Sequence, residues 1–241
     1  MREQTLFVSD VHLTPARADI ERLFRRFLAE RAAESQALYI LGDLFEYWAG
    51  DDDLTDRFNA AVTADLARCA RSGVKVFFIP GNRDFLVGER FARGAAITLL
   101  RDPTLVDLYG RRTLLSHGDE LCTDDSSYQQ FRARVRSSTW QNEFLARPLE
   151  QRRREIEALR AQSEREKRIK PAAIMDVNES SVEDLLRRHG YPDLIHGHTH
   201  RAARKEHPID GYTCVRWVLA DWYESGSWLA ADRNGMRAER F

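Results

Sequence analysis

The feature that most constrains this chain is a series of short apolar runs, each followed at once by residues that can bind metal or phosphate. Thr5-Leu6-Phe7-Val8 runs into Ser9-Asp10, Ala37-Leu38-Tyr39-Ile40-Leu41 into Gly42-Asp43, and Lys75-Val76-Phe77-Phe78-Ile79 into Pro80-Gly81-Asn82. Runs of this length, apolar on both faces, predict strands buried in a mostly parallel sheet. Helical patterns lie between them. Ile20, Leu23, Phe24, Phe27 and Leu28 recur at helical spacing with Asp19 as the expected cap, and Leu54 to Ser72 carries Phe58, Val62, Leu66 and Cys69 on one face. Alternation of this kind predicts parallel strands joined by helical crossovers.

From Ile97 the pattern turns strand-rich, through Thr104 to Leu108 and Arg112 to Leu115, ending at Ser116-His117-Gly118-Asp119. The stretch from about Leu121 to Pro171 is helical and rich in Arg, and it interrupts the strands. They resume at Asp193-Leu194-Ile195-His196, then at Thr213 to Leu219, Ser227 to Ala231 and Met236 to Arg240. The simplest architecture over 1–241 is one α/β domain of two packed sheets with helices outside, carrying a helical insertion at about 121–171.

In open α/β sheets, ligands bind beyond the carboxyl ends of the strands, where the loops converge. Five polar clusters occupy such positions: Asp10-Val11-His12, Gly42-Asp43, Gly81-Asn82-Arg83-Asp84, His117-Gly118-Asp119 and His198-Thr199-His200. Asp-x-His, Gly-Asp and Gly-Asn-Arg-Asp each alone read as an ordinary cap or turn, whereas Gly-His-Thr-His is a stronger signal, because its two histidines share one face of an extended segment. Together Asp10, Asp43, Asn82 and His12, His117, His198 and His200 offer two carboxylates, one amide oxygen and four imidazoles. A mixed oxygen and nitrogen set without thiolate suits Mn²⁺, Fe²⁺ or Zn²⁺. Seven ligands exceed the needs of one ion with open positions, so two ions are expected, about 3.5–4 Å apart. Asp43, on its Gly-Asp turn, is the expected bridge. His189 and His207 lie in polar stretches expected to be exposed, and His196 reads as a scaffold residue.

Lys+Arg 37 against Asp+Glu 38 leaves a formal charge of −1, which offers little to a polyanion and argues against a nuclease. The three cysteines Cys69, Cys122 and Cys214 show no CxxC spacing, and with no signal-peptide pattern they point to a reducing cytoplasm.

The motif series resembles that of the calcineurin-like metallophosphoesterase superfamily, D-x-H, G-D, G-N-H-[DE], H and G-H-x-H, in the same order from Asp10 to His200. The resemblance implies a four-layer αββα sandwich. One departure stands out, since Arg83 occupies the place where most relatives carry His. Arginine cannot donate a proton, but its fork can clamp phosphate oxygens, which suits a good leaving group such as a phosphate.

Arg83, Glu46 and Trp48, the run from His117 to Asp125, Ile174 to Val177 and Leu194 to Arg201 narrow the resemblance to the UDP-2,3-diacylglucosamine pyrophosphatase family of lipid A synthesis. That resemblance implies Mn²⁺-dependent hydrolysis giving UMP and 2,3-diacylglucosamine 1-phosphate. It also implies a helical cap that receives acyl chains, and peripheral attachment to the cytoplasmic face of the inner membrane. Substrate contacts are implied at Asn82, Arg83, Asp125, Ser163, Lys167, Lys170 and His198, with Asn82 and Arg83 catalytic. On a helix Ser163, Lys167 and Lys170 can face one groove. Read from the residues alone, Phe131, Val135, Trp140, Phe144, Leu145, Leu149, Ile156 and Leu159 could line that groove or form the insertion's own core. Its arginines could meet anionic headgroups or water.

Overall fold

The architecture follows from where alternate strand residues point. In this computed structural model, which describes residues 3–169 and 172–241, eleven strands form two mixed sheets among the described residues. The first contains β1 (Thr5–Val8), β2 (Ala37–Ile40), β3 (Lys75–Phe78) and β4 (Thr98–Leu99), all parallel. The hairpin of β10 (Ser227–Asp232) and β11 (Gly235–Arg240) is added antiparallel to β1. The second sheet has β5 (Thr104–Leu108), β6 (Arg111–Leu115), β7 (Asp193–His196), β8 (Ala203–Ile209) and β9 (Tyr212–Val218), in the order β5-β6-β7-β9-β8.

Leu6, Val8, Leu38, Ile40, Val76 and Phe78 point away from the second sheet. They pack against Phe24 and Phe27 of α1 (Ala18–Glu30), Val62 and Leu66 of α2 (Arg57–Arg71) and Phe91 of α3 (Glu89–Ala95). The alternate residues Phe7, Leu41 and Ile79 meet Leu115, Ile195 and Leu219 between the sheets. Beyond the second sheet, Leu114, Leu194 and Cys214 pack on Val182, Leu185 and Leu186 of α7 (Glu179–Arg188). Three apolar layers thus separate four layers of secondary structure, αββα. Registry then sets the site. Val8 lies opposite Ile40 and Ile40 opposite Phe78, so these strands end level and their polar turns emerge side by side.

Several expectations are corrected. Asp19 does not cap α1; Arg17 occupies that position, and its guanidinium takes the Asp19 carboxylate at 3.0 and 3.1 Å. The second helix begins at Arg57 because Asp56 accepts from Phe58 and Asn59 N–H at 2.8 and 3.2 Å, while Asp51–Thr55 forms a 3-10 turn. His207 is not exposed: it lies on β8, facing inward at 4 % exposure. The helices α3 and α7 and the charged strand β8 were not legible in the sequence pattern.

Between β6 and β7 run α4 (Ser126–Val135), α5 (Ser138–Leu145) and α6 (Leu149–Ile169). These helices do not build a core of their own. Trp140, Phe144 and Ile156 join the core of the first sheet, with Trp140 tilted over Phe85 at 6.1 Å and stacked on Phe144 at 4.6 Å. Nor do the arginines all face solvent. Arg152 is 2 % exposed and donates to Asp52 and to the carbonyls of Ala49 and Arg147. Arg153 pairs with Asp53 and Arg160 with Glu46. All three pairs tie α6 to the loop after β2. Among the described residues no helix is long and apolar enough to cross a membrane.

Because each abandoned buried acceptor costs about 1–3 kcal/mol, Arg152→Ala is expected to lower stability by about 2 kcal/mol or more. Hydrogen exchange should report faster opening of the first turns of α6. Unchanged protection there would show that the arginine does not hold the helix down.

Candidate metal centre

The turns at the level strand ends are unusual in backbone as well as in chemistry. Asp10, His12, Asp43, His198 and His200 all have φ between 53° and 69°, the left-handed region that non-glycine residues seldom occupy. Such conformations persist only where the surroundings enforce them, and they cluster at functional sites. Here the enforcement is hydrogen bonding. The N–H groups of Asp10 and His12 donate to the carbonyls of Gly42 and Asp43 at 3.1 and 3.0 Å. His198 N–H donates to Asp10 Oδ2 at 2.9 Å, and Arg83 N–H to Asp43 Oδ1 at 2.8 Å. Asp84, fully buried, accepts from the N–H groups of Gly81, Asp43, Leu44 and Phe45 at 2.8, 3.3, 2.7 and 3.2 Å, clamping the β2 and β3 turns together. Gly42, at φ 87°, leaves the room required: a Cβ there would stand 2.4 Å from His117 Nδ1 and 2.6 Å from the Gly81 Cα.

The converging side chains form two sets of donors. In the first, His200 Nε2 lies 3.4 Å from His12 Nε2 and 3.3 Å from Asp10 Oδ1. In the second, Asn82 Oδ1 is 2.9 Å from His117 Nε2 and 2.8 Å from His198 Nδ1. Asp43 stands between them, Oδ2 3.8 Å from His12 Nε2 and Oδ1 3.7 Å from His117 Nε2. Asp10 also reaches both sides. Its carboxylate groups with His12 and His200, and with Asp43 and His117, each set with ligand atoms within 4.8 Å of one another. Asp10 Oδ1 is buried without a hydrogen-bond donor, a costly state that a cation would relieve. Donor chemistry, spacing and this bare oxygen all fit a pair of divalent ions.

Charge in the cluster is strongly perturbed. Burial opposes a charged His117, but the carboxylates of Asp43, Asp119 and Asp10 prevail and push its pKa up to about 9. Burial and the neighbouring His117 push His198 down to about 4. Burial and the Asp43 carboxylate push Asp84 up to about 6. Asp10 is held below the usual carboxylate range, its burial being outweighed by His200, His117 and His12.

A second ring of groups orients these donors. Glu46 Oε2 is 3.1 Å from His12 Nδ1, Asp221 Oδ2 3.4 Å from His200 Nδ1, and the Leu41 carbonyl 2.8 Å from His117 Nδ1. Tyr223 stacks on His12 at 5.4 Å, and Tyr128 on His198 at 5.8 Å. Tyr128 in turn donates to the buried Asp119 carboxylate at 2.8 Å. Sequence reasoning passed over Asp221 and Tyr223, although they follow the end of β9, where the rule of strand ends would have found them. Nothing local marks Tyr128.

Arg83 is largely buried, with NH1 3.9 Å from Glu46 Oε1, at the edge of the donor cluster. Asp125 caps α4, accepting from Tyr128 N–H at 3.1 Å and Ser127 Oγ at 2.8 Å. Ser163 is half-buried on α6. The Lys167 side chain and Lys170 lie outside the described residues. His196 is not among the donors.

The calcineurin-like phosphoesterase model matches residues 4–202, and the chain belongs to that family. It is therefore a dimetal-dependent hydrolase. A protein of Aromatoleum aromaticum named UDP-2,3-diacylglucosamine hydrolase is 57% identical over 230 residues, covering 95% of this chain and 94% of its own length. One of the same name from Xanthomonas axonopodis pv. citri is 48% identical, covering 98% of both chains. A dimetal phosphatase from Danio rerio shares the fold, with TM-score 0.51, 15% identity and 99% of each chain covered.

A metal-binding imidazole must be neutral, whereas His117 is raised to about 9 and so holds a proton at neutral pH in the metal-free protein. Metal uptake should therefore release protons, and apparent affinity should rise about tenfold per pH unit toward pH ~9 for this group. Titration calorimetry in buffers of different ionisation enthalpy measures the release. An affinity independent of pH between pH ~6.5 and ~8.5 would contradict the assignment of that charge.

Proposed function

We propose that this chain hydrolyses the pyrophosphate bond of UDP-2,3-diacylglucosamine, releasing UMP and 2,3-diacylglucosamine 1-phosphate for lipid A synthesis, with two Mn²⁺ per subunit. The observation that carries the chemistry is Asp43, which presents one carboxylate oxygen to each of two donor sets. The substrate is supported by likeness, over nearly the whole chain, to proteins named for acting on it.

In this reading Asp10, His12, Asp43 and His200 hold one ion, and Asp43, Asn82, His117 and His198 the other. The ions would polarise phosphate oxygens and lower the pKa of the attacking water. What the chain itself adds is orientation and charge. Glu46 and Asp221 stand beside the Nδ1 atoms of His12 and His200, where their carboxylates bias the orientation of the two rings. The Arg83 guanidinium clamps oxygens of the diphosphate and stabilises charge as the bond to the α-phosphorus breaks. No acid is needed for departure, because the leaving group is a phosphate rather than an alkoxide.

The helices within about 121–171 serve as a cap. Asn82, Arg83, Asp125, Ser163, Lys167, Lys170 and His198 contact the substrate, and its acyl chains run beneath α6. A lipid substrate places the protein at the cytoplasmic face of the inner membrane as a peripheral protein, and the absence of a spanning helix among the described residues is compatible with that.

Purified protein with Mn²⁺ should release UMP from UDP-2,3-diacylglucosamine; turnover of other phosphoesters without turnover of this one would overturn the substrate while sparing the metal centre. Asp43→Ala should abolish Mn²⁺ binding and turnover together. Arg83→Ala should keep Mn²⁺ while kcat falls, since the hydrogen bond from Arg83 to Asp43 comes from the backbone N–H, which alanine retains. Loss of Mn²⁺ in Arg83→Ala would refute that division of labour.

A further inference from the structure

One charged cluster in the second sheet plays no part in the chemistry above. Arg216 lies on β9 and is buried in the layer that faces α7, among Leu194, Cys214 and Leu186. Its guanidinium is engaged on three sides. Nε donates to His207 Nε2 at 3.1 Å, NH2 to Glu179 Oε1 at 3.2 Å, and NH1 stands 3.4 Å from His196 Nε2. Burying such a cluster in an apolar layer is costly unless every member is satisfied, and an ion pair there is weak evidence for stability alone.

The direction of the hydrogen bonds decides what the cluster does. A guanidinium has donors and no acceptor. His196 Nε2 must therefore be the bare, accepting nitrogen, which leaves the ring proton on Nδ1. That atom lies 2.9 Å from the Gly197 carbonyl, so Nδ1–H donates to it. The same carbonyl accepts from Thr199 N–H at 2.9 Å, and Gly197 N–H donates to the His117 carbonyl at 3.0 Å. The His196 ring also rests against Gly118, where a Cβ would stand 2.6 Å from Nδ1. His196 thus touches the turns that carry His117 and His198 of the second donor set. His198 and His200, held at φ 69° and 56°, leave directly from the turn it pins.

We propose that Arg216 is a positioning residue for the metal centre. By occupying His196 Nε2 it enforces the Nδ1–H tautomer, which holds the Gly197 carbonyl and so sets the turn bearing His198 and His200. The role rests on the reading of those two histidines as metal ligands. A purely structural Arg216 would only tie α7 to the sheet through Glu179.

Long-range ¹H–¹⁵N correlation spectra of the intact protein test this directly. His196 should show a protonated Nδ1 and a bare Nε2; a proton on Nε2 would overturn the proposal whatever the variants do. In folded Arg216→Met, Mn²⁺ affinity should fall by about tenfold or more, and kcat by a similar factor with KM nearly unchanged. Glu179→Ala should lower the thermal midpoint yet keep Mn²⁺ affinity. Wild-type affinity in Arg216→Met, or an equal loss in Glu179→Ala, would assign the cluster to stability and overturn the proposal. Wild-type protein that took up no Mn²⁺ would instead sink the ligand reading, and this role with it.

Discussion

Three carboxylates, Asp10, Asp43 and Asp84, are buried at the meeting point of the two sheets, and the rest of the fold answers to them. A buried carboxylate is costly unless it is paired or hydrogen-bonded. Asp84 is satisfied by four backbone N–H groups, and this fastens the turns after β2 and β3 into one rigid piece. Asp10 is only partly satisfied, its Oδ1 lacking a hydrogen-bond donor, and Asp43 turns its two oxygens toward His12 and His117. The strands are apolar on both faces because one face meets the helices and the other the second sheet, and their ends hold this charge at the centre of the molecule. The left-handed turns are the geometry by which five side chains reach a common point.

The helices α4 to α6 connect to that centre through charge as well as through packing. Arg152 and Arg153 fix α6 to Asp52 and Asp53, while Arg160 meets Glu46, whose other oxygen lies against His12. Burial opposes a charged Glu46, but His12, Arg83 and Arg160 together hold its pKa down to about 2. The position of α6 and the orientation of His12 are therefore linked through one carboxylate. Tyr128 and Asp119 make a comparable link from α4 to His198 and the turn after β6.

Much of this was legible in the sequence, for a physical reason. The strands β1, β2 and β3 are covered on both faces, so each reads as a nearly unbroken apolar run with its chemistry at one end, and β6 and β7 carry theirs at the same end. The donors Asp10, His12, Asp43, Asn82, His117, His198 and His200 stand at those ends and converge as the strand pattern required. Elements whose role is set by partners distant in sequence stayed hidden. Strand β8 is Ala-Arg-Lys-Glu-His-Pro-Ile, an edge strand whose charged residues gave no strand signal, and its buried His207 meets Arg216 of β9 and Glu179 of α7, both on other elements. Asp19 looked like a cap until Arg17 claimed it. The apolar residues of α5 and α6 could not reveal from spacing that they would complete another layer's core.

The central claim is that two metal ions sit on either side of Asp43. Anomalous diffraction from a crystal grown with Mn²⁺ tests it without reference to any substrate. Two peaks about 3.5–4 Å apart, one beside His12 and His200 and one beside His117 and His198, would bear the account out. A single peak with Asp43 as a terminal ligand, or peaks away from these side chains, would contradict it.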